Sequence, residues 1–411
     1  MYFLKYLSFI ALTGILFLAG CEQLVSTKGP VPNETLAGPI DGLTPAQRAA
    51  HAQGDEEFGR IFGVSDGLGP IFVNTSCEGC HIGDGKGASF IQLTRFGRRE
   101  QTGTFDPLRH LGGPQLQQRS IAGYPAETIP SVATGYSVLL PPAVTGLGLL
   151  ANVPDAQLLS LTDPNDIDGD GISGVPQYVN PPAYFVPVPS FHIENNGQYI
   201  GRFGRKAGAI VLLQQVAEAY LNDIGVTSDF LIDDLFNAEV GPGTGDHVPD
   251  PEVSAGIVRA VEFYIRTLKP PPRRNVDDAD VRAGEQLFAS IKCASCHLTS
   301  LTTGPSEVEP LSNVSFSPYT DLLLHDMGPE LDDGYTEGNA LSSEWRTTPL
   351  WGIGLSAASQ GGRASYLHDG RATSLERAIQ FHGGEAALSR TSFQSLTPAQ
   401  KEQLLKFLQS L

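Results

Sequence analysis

The pattern C-x-x-C-H occurs twice, at Cys77, Cys80 and His81 and again at Cys293, Cys296 and His297. Nothing else in the chain constrains its fold as strongly. Two thiols at this spacing add across the vinyl groups of a porphyrin, and the imidazole that follows reaches the iron from the proximal side. This is the attachment pattern of c-type haem. A redox C-x-x-C or a four-cysteine zinc site would leave both histidines without a role. A phenylalanine stands five residues before each motif, Phe72 and Phe288. Two covalently bound haem c groups are expected.

The sixth position on each iron is then decided by scarcity. The chain has two methionines, Met1 and Met327, and Met327 lies thirty residues past His297 in LLLHDMGPE. A thioether there raises the reduction potential, as in electron-transfer cytochromes. At most one iron can be ligated by His and Met, so the two haems differ chemically. His325 is the rival ligand, and the placing of Met327 after C-x-x-C-H, which resembles monodomain cytochromes, makes Met327 the expected one. For the first haem the sequence leaves three readings open. His110 in RHLGGPQLQQR and His192 in FHIENN are candidate ligands. The third reading is an open position for a small oxidant, with Gln115, Gln117 and Glu127 as the polar groups around it. A carboxylate there can move a proton between the oxygens of bound peroxide.

Length allows two domains with cores of their own, and 46 Gly and 30 Pro call for many loops and a modest helix content. Four of the five cysteines belong to the motifs, which leaves Cys21. Residues 1–20 (MYFLKYLSFIALTGILFLAG) read as an export signal, and Leu18-Ala19-Gly20-Cys21 resembles a bacterial lipobox with Cys21 lipidated. Several acyl chains on one cysteine anchor stably. Glu22 favours the outer membrane, so a lipid-anchored periplasmic protein is expected, on a flexible tether over residues 21–42. The net charge of −18 gives solubility and would steer a small basic electron-donor protein. No basic patch with interleaved aromatics supports nucleic-acid binding.

Thr44-Pro45 and Thr397-Pro398 each read as a helix start. The run before Pro270–Pro272 reads as a helix stopped by proline, and AGEQLFASIKCASCH as a helix running into the second motif. The expected fold is mainly α with long irregular loops, built as two cytochrome c-like haem domains at 43–269 and 275–411. Asp166, Asp168 and Asp170 stand in D-x-D-x-D-G spacing, which suits calcium, although Gln177 replaces the glutamate that closes an EF-hand. Arg202, Arg205, Lys206, Arg346, Arg363 and Arg371 are candidates to hold haem propionates. His368 and His382, in glycine turns, read as structural.

Seven segments carry a resemblance: GPIFVNTSCEGCH, GGPQLQ, DIDGDGISG, GRFGRKAG, LLLHDMGPELDDG, WRTTPLWGIGL and YLHDGRATSLERAI. Together they resemble the di-haem oxidoreductases grouped as peroxidases, also called thiol oxidoreductases. These are relatives of bacterial di-haem cytochrome c peroxidase and of the di-haem enzyme that matures methylamine dehydrogenase. The resemblance implies a peroxidatic N-terminal haem on His81, an electron-feeding C-terminal haem on His297 and Met327, and calcium between the domains. Two positions depart from it. The first domain lacks the tryptophan that relatives place between the haems, and position 205, aromatic in many relatives, is Arg. The implied activity is reduction of hydrogen peroxide. A di-haem electron conduit, or oxidation of a protein side chain or a thiol, are the alternatives.

Overall fold

The computed structural model describes residues 38–411 apart from 102, 103 and 246. The leader, Cys21 and most of the tether lie outside the described residues. From residue 38 onward the chain forms one body. The helices that position the site are α1 (Pro45–Gly59), α2 (Leu212–Ala219), α3 (Ala255–Thr267), α4 (Ala279–Ser290), α5 (Leu375–Gln380) and α6 (Pro398–Ser410). The expectation of a mainly α chain is too narrow. Short antiparallel strands run between the helices, because the Gly- and Pro-rich connections fold back on themselves in pairs rather than winding.

Local chemistry sets the helix starts. Thr44 Oγ1 accepts from Gln47 N at 3.2 Å while Gln47 Oε1 accepts from Thr44 N at 3.0 Å, and Thr397 with Gln400 repeats this reciprocal cap. Ser254 and Asp278 cap α3 and α4.

Two helix crossings organise the two halves, α1 on α3 and α4 on α6. Each is close because a glycine sits at the crossing. A Cβ on Gly54 would lie 2.1 Å from the Ala260 carbonyl oxygen, and one on Gly284 would lie 2.1 Å from that of Gln403. Four residues later each helix presents a phenylalanine, Phe58 and Phe288, against an aromatic of its partner helix. Phe58 meets Tyr264 at 5.3 Å and Phe288 meets Phe407 at 5.2 Å between ring centroids. The counterpart of Phe288 is therefore Phe58, not Phe72, which lies in a short strand. Gly284→Ala is expected to lose about 1–3 kcal/mol by overpacking. That is opposite in sign to the roughly 1 kcal/mol by which Ala outdoes Gly in an open helix. Thermal denaturation beside Gly256→Ala, where a Cβ meets only Ser254 Oγ at 3.5 Å, checks this. Equal melting shifts would contradict it.

A further cluster draws on both halves. Leu149, Leu150 and Leu158 pack with Leu301, Leu311, Leu322 and Trp351, all buried. Lys86 Nζ donates to the carbonyls of Ser365 and Leu367 at 2.8 and 2.9 Å, tying the first half to the second.

Strands place the remaining site residues. A three-stranded sheet, with β1 (Leu93–Arg99) between β2 (Phe105–Asp106) and β3 (Gly135–Leu139), runs out of β3 into Leu140 and Pro142. β4 (Leu324–Asp326) pairs with β5 (Glu344–Arg346), His325 opposite Trp345. That hairpin carries Met327 at one edge and Trp345 and Arg346 at the other.

Candidate functional site: two C-x-x-C-H turns on one cavity

Each motif is a single turn closed by its histidine. His81 N donates to Cys77 O at 2.9 Å, and His297 N donates to Cys293 O at 3.0 Å. Both imidazoles are oriented alike. His81 Nδ1 is 2.8 Å from Pro142 O, and His297 Nδ1 is 2.8 Å from Tyr319 O. A carbonyl only accepts, so the ring proton sits on Nδ1 and the Nε2 lone pair is left for a metal, the usual support of a ligating histidine. Burial pushes both rings down to about 4, so they are neutral at pH 7. Phe58 and Phe288 lie 6.1 and 6.3 Å from these rings.

The four motif thiols form no disulfide. Burial pushes Cys77 and Cys293 up to about 12 and Cys80 up to about 11. A nucleophilic or zinc-binding C-x-x-C needs the opposite shift. Among the described residues no candidate metal cluster contains two cysteines.

One continuous cavity of about 1140 Å³ is lined by both motifs. That exceeds an ordinary ligand pocket of roughly 300–1,000 Å³. Three cations, Arg346 buried and Arg205 and Lys86 half-buried, line it without a salt bridge among the described residues. Arg205 donates to Leu140 O at 2.7 Å, Arg346 to Gly204 O at 2.9 Å, and Lys86 to the two carbonyls already named. Burial, then the neighbouring Arg346 charge, pulls Arg205 down to about 9, and burial pulls Arg346 down to about 10. Buried and half-buried cations facing only carbonyls are costly as they stand and fit an anion brought by a bound group. The donor set, the free Nε2 atoms and these cations fit two haems with their propionates.

The other basic candidates are engaged elsewhere. Arg202 is buried against Asp155. Lys206 Nζ sits 3.9 Å over the Trp345 ring, which stacks on His368 at 3.7 Å between centroids. Arg371 pairs with Asp369 at 2.6 Å, and Arg363 is exposed.

Around the second motif the sequence put two side chains in question, His325 and Met327, and the structure adds a third. His325 has no nitrogen to offer a metal: Nε2 is 2.8 Å from Asp321 Oδ2 and Nδ1 is 2.7 Å from Glu385 Oε2. Met327 lines the cavity, its backbone N donating to Ser343 O at 2.9 Å. His382, read from the sequence as structural, also lines the cavity. Its charge would act directly on His297, and its Nδ1 is 2.9 Å from Ala378 O. It repeats the arrangement of His81 and His297, on the turn that follows α5. A histidine one turn past a short helix gives no motif, so only its likeness in hydrogen bonding exposes it.

Around the first motif neither His110 nor His192 is brought to the cavity wall. His110 is exposed in a short 3₁₀ turn, and His192 Nδ1 accepts from Val188 N at 2.9 Å among Phe185 and Tyr199. Gln115 and Gln117 do line the cavity, with Nε2 atoms 2.8 and 3.0 Å from Asn222 O. Glu127 lies one layer behind. Its Oε2 accepts from Gln117 N at 2.9 Å, and burial pushes it up to about 7. Asp223 is a carboxylate of the wall itself, as are Glu218 and Glu337; it lies 2.7 Å from Gln115 Nε2, is pushed up to about 6 by burial, and is the one felt electrostatically by both Cys77 and Cys80. It sits in a π-turn, Tyr220–Ile224, after α2. Such turns favour functional positions but leave no sequence signal.

In the acidic loop Asp163 takes the place expected of Asp170. Asp163, Asp166 and Asp168 gather their oxygens, whereas Asp170 pairs with Lys292 at 3.3 Å. Ser173 N donates to Glu385 Oε2 at 2.9 Å, so the loop is moored on the second half beside His325.

No curated protein sequence matches the chain. Two solved structures align over most of its length at low similarity. One is Kuenenia stuttgartiensis hydrazine synthase pressurised with xenon, with 15% identity over 94% of this chain and 96% of the other and a TM-score of 0.38. The other is a MauG-like protein associated with microbial copper homeostasis, with 13% identity, 94% and 95% coverage and a TM-score of 0.37. Nothing about the site is taken from likenesses this distant. The sequence profile described as "Di-haem oxidoreductase, putative peroxidase" matches residues 131–411, a span that holds the second motif and begins after the first. With more than half of its length inside that match, the chain belongs to the di-haem oxidoreductase family.

Proposed function

We propose that the chain is a c-type di-haem peroxidase that reduces hydrogen peroxide beside His81 with electrons entering at His297. The observation that carries this reading is the asymmetry of the shared cavity. Beside His297 it offers further ligands, and beside His81 it offers a wall of Gln115, Gln117 and Asp223. Cys77 with Cys80, and Cys293 with Cys296, form the thioethers. Bound haem supplies one-electron chemistry at iron and, where a coordination position is open, a seat for a peroxide oxygen.

The chain's own residues do the rest. Nδ1 of each proximal histidine holds its proton on a carbonyl, which fixes the ring. Arg205, Arg346 and Lys86 hold the propionates. Asp223 accepts a peroxide proton and returns it to the departing oxygen, with Gln115 fixing its rotamer. Glu127 positions Gln117 from behind. With His297, His382 would hold the second haem in preference to Met327, since its ring is already oriented by Ala378 O and its Nε2 is free. A small redox protein with a basic face, drawn by the chain's acidic charge, fits as donor. Export and a lipid anchor at Cys21 belong to the same proposal, since c-type haem is attached outside the cytoplasm.

Stopped-flow turnover with peroxide and a reduced small cytochrome tests this. Asp223→Asn is expected to lower kcat/KM by about 10²–10⁴-fold, the range of general acid–base catalysis. Glu127→Gln has a smaller effect. Wild-type turnover no faster than that of free haem would refute the peroxidase reading.

A further inference from the structure

We propose that Tyr264 is a redox-active tyrosine that gives one electron to the first haem site while Asp84 takes its phenolic proton. The proposal rests on the peroxidase reading for its physiological oxidant, and the comparison of the two halves motivates it. In both, a glycine crossing, a phenylalanine four residues on and an aromatic from the partner helix form the proximal wall. The second half closes that wall with Phe407, fully buried. The first half closes it with Tyr264, which is 3% exposed and whose hydroxyl donates to Asp84 Oδ1 at 2.7 Å. Asp84 is itself 4% exposed. A hydroxyl and a carboxylate buried where a phenyl ring would pack are unfavourable for stability alone. The packing does not ask for them.

The placement suits electron donation. The Tyr264 ring is 5.3 Å from Phe58, and Phe58 is 6.1 Å from the His81 ring, so two ring contacts join the phenol to the ligating imidazole. His51 closes the other side of Tyr264 at 4.8 Å, its Nδ1 2.8 Å from Thr267 Oγ1. Oxidising a phenol near neutral pH breaks its O–H bond, and a buried phenol needs an acceptor already within hydrogen-bond reach. Asp84, at 2.7 Å, is that acceptor, and Asp55 is a second carboxylate acting on the same hydroxyl.

The electrons balance. Reducing one hydrogen peroxide to two waters breaks the O–O bond and takes two electrons and two protons. When the donor has not yet delivered through the second site, the first haem site supplies one electron and Tyr264 the other. The phenolic proton moves to the Asp84 carboxylate. Two donor electrons then restore the first haem site and the phenoxyl radical; the radical recovers its proton from Asp84, and the two protons that complete the waters come from solvent. The chain thus holds an oxidising equivalent on a chosen residue rather than on whichever surface side chain is nearest.

The test is rapid-freeze EPR on the holoprotein with two oxidants. One is peroxide without donor. The other is flash–quench photo-oxidation with a ruthenium(III) sensitiser, which needs no peroxide chemistry. A tyrosyl signal is expected in the wild type and in Tyr136→Phe, whose ring is exposed, and is lost in Tyr264→Phe. Tyr264→Phe copies the arrangement of Phe407, so it folds, which an unchanged Soret band and melting point verify. Asp84→Asn forms the radical about 10²-fold more slowly, as loss of a positioned proton acceptor requires. A signal surviving Tyr264→Phe under both oxidants, or no tyrosyl signal under either, overturns the inference. If peroxide is turned over in that second case, the peroxidase reading stands without it. A Tyr264 signal after the flash but no reaction with peroxide leaves the tyrosine's role and removes the peroxidase reading.

Discussion

An Asp155→Ala variant is expected to lose about 3–5 kcal/mol of stability, the range for removing one partner of a buried ion pair. Asp155 is fully buried and the Arg202 side chain is 1% exposed. Beyond Asp155, the guanidinium reaches, among the described residues, only the carbonyls of Leu150, Ala151 and Val153, and burial already lowers its affinity for its proton. Deleting the carboxylate leaves a buried cation facing dipoles, and Ile193 N loses its 2.8 Å acceptor as well. Asp155→Leu combined with Arg202→Met, similar in volume and without charge, should recover most of the loss, since well-packed apolar replacements of such pairs are close to neutral. Thermal and urea denaturation of the holoprotein measure both variants. A single-variant loss below about 1 kcal/mol, typical of an exposed pair, would show that water reaches the site.

The largest spectroscopic change is expected from His382→Ala. The second haem should lose its low-spin signature in low-temperature EPR, while Met327→Leu leaves it intact. Three facts stand behind this: His382 lies on the cavity wall, its charge would act on His297, and its Nδ1 proton is fixed by Ala378 O. A neutral imidazole so fixed has one lone pair, on Nε2, and nothing else to do with it. Met327 is the rival candidate on the cavity wall, and a thioether on iron leaves a weak near-infrared band that an imidazole does not. Absence of that band in the wild type, and its appearance with a raised potential in His382→Met, agree with His382. Loss of the low-spin signal in Met327→Leu, with His382→Ala unaffected, would return the position to Met327.

What the sequence disclosed was what spacing can encode. The motif cysteines and histidines, the caps at Thr44 and Thr397 and the helix into Cys293 are local patterns, and each is where the residues placed it. Residues that matter through a contact far along the chain were not legible. Asp223 enters the wall because a π-turn swings it there. Asp163 displaces Asp170 because Lys292 claims the latter. Phe72 looked like the partner of Phe288 because both stand five residues before a cysteine. The role is filled by Phe58, since the first half inserts a loop between its helix and its motif. The strands were missed because pairs two or three residues long carry no alternation to read.

The shared cavity also bears on how such a molecule is assembled. Its walls come from residues as far apart as Phe58 and Ser389, so the chamber for the first haem does not exist until the second half has folded over it. On the proposed reading the macrocycles would enter while the chain is still open and fill its centre. On the proposed reading, acquiring the prosthetic groups and reaching the native state become coupled, as when a metal-dependent domain folds on its ion.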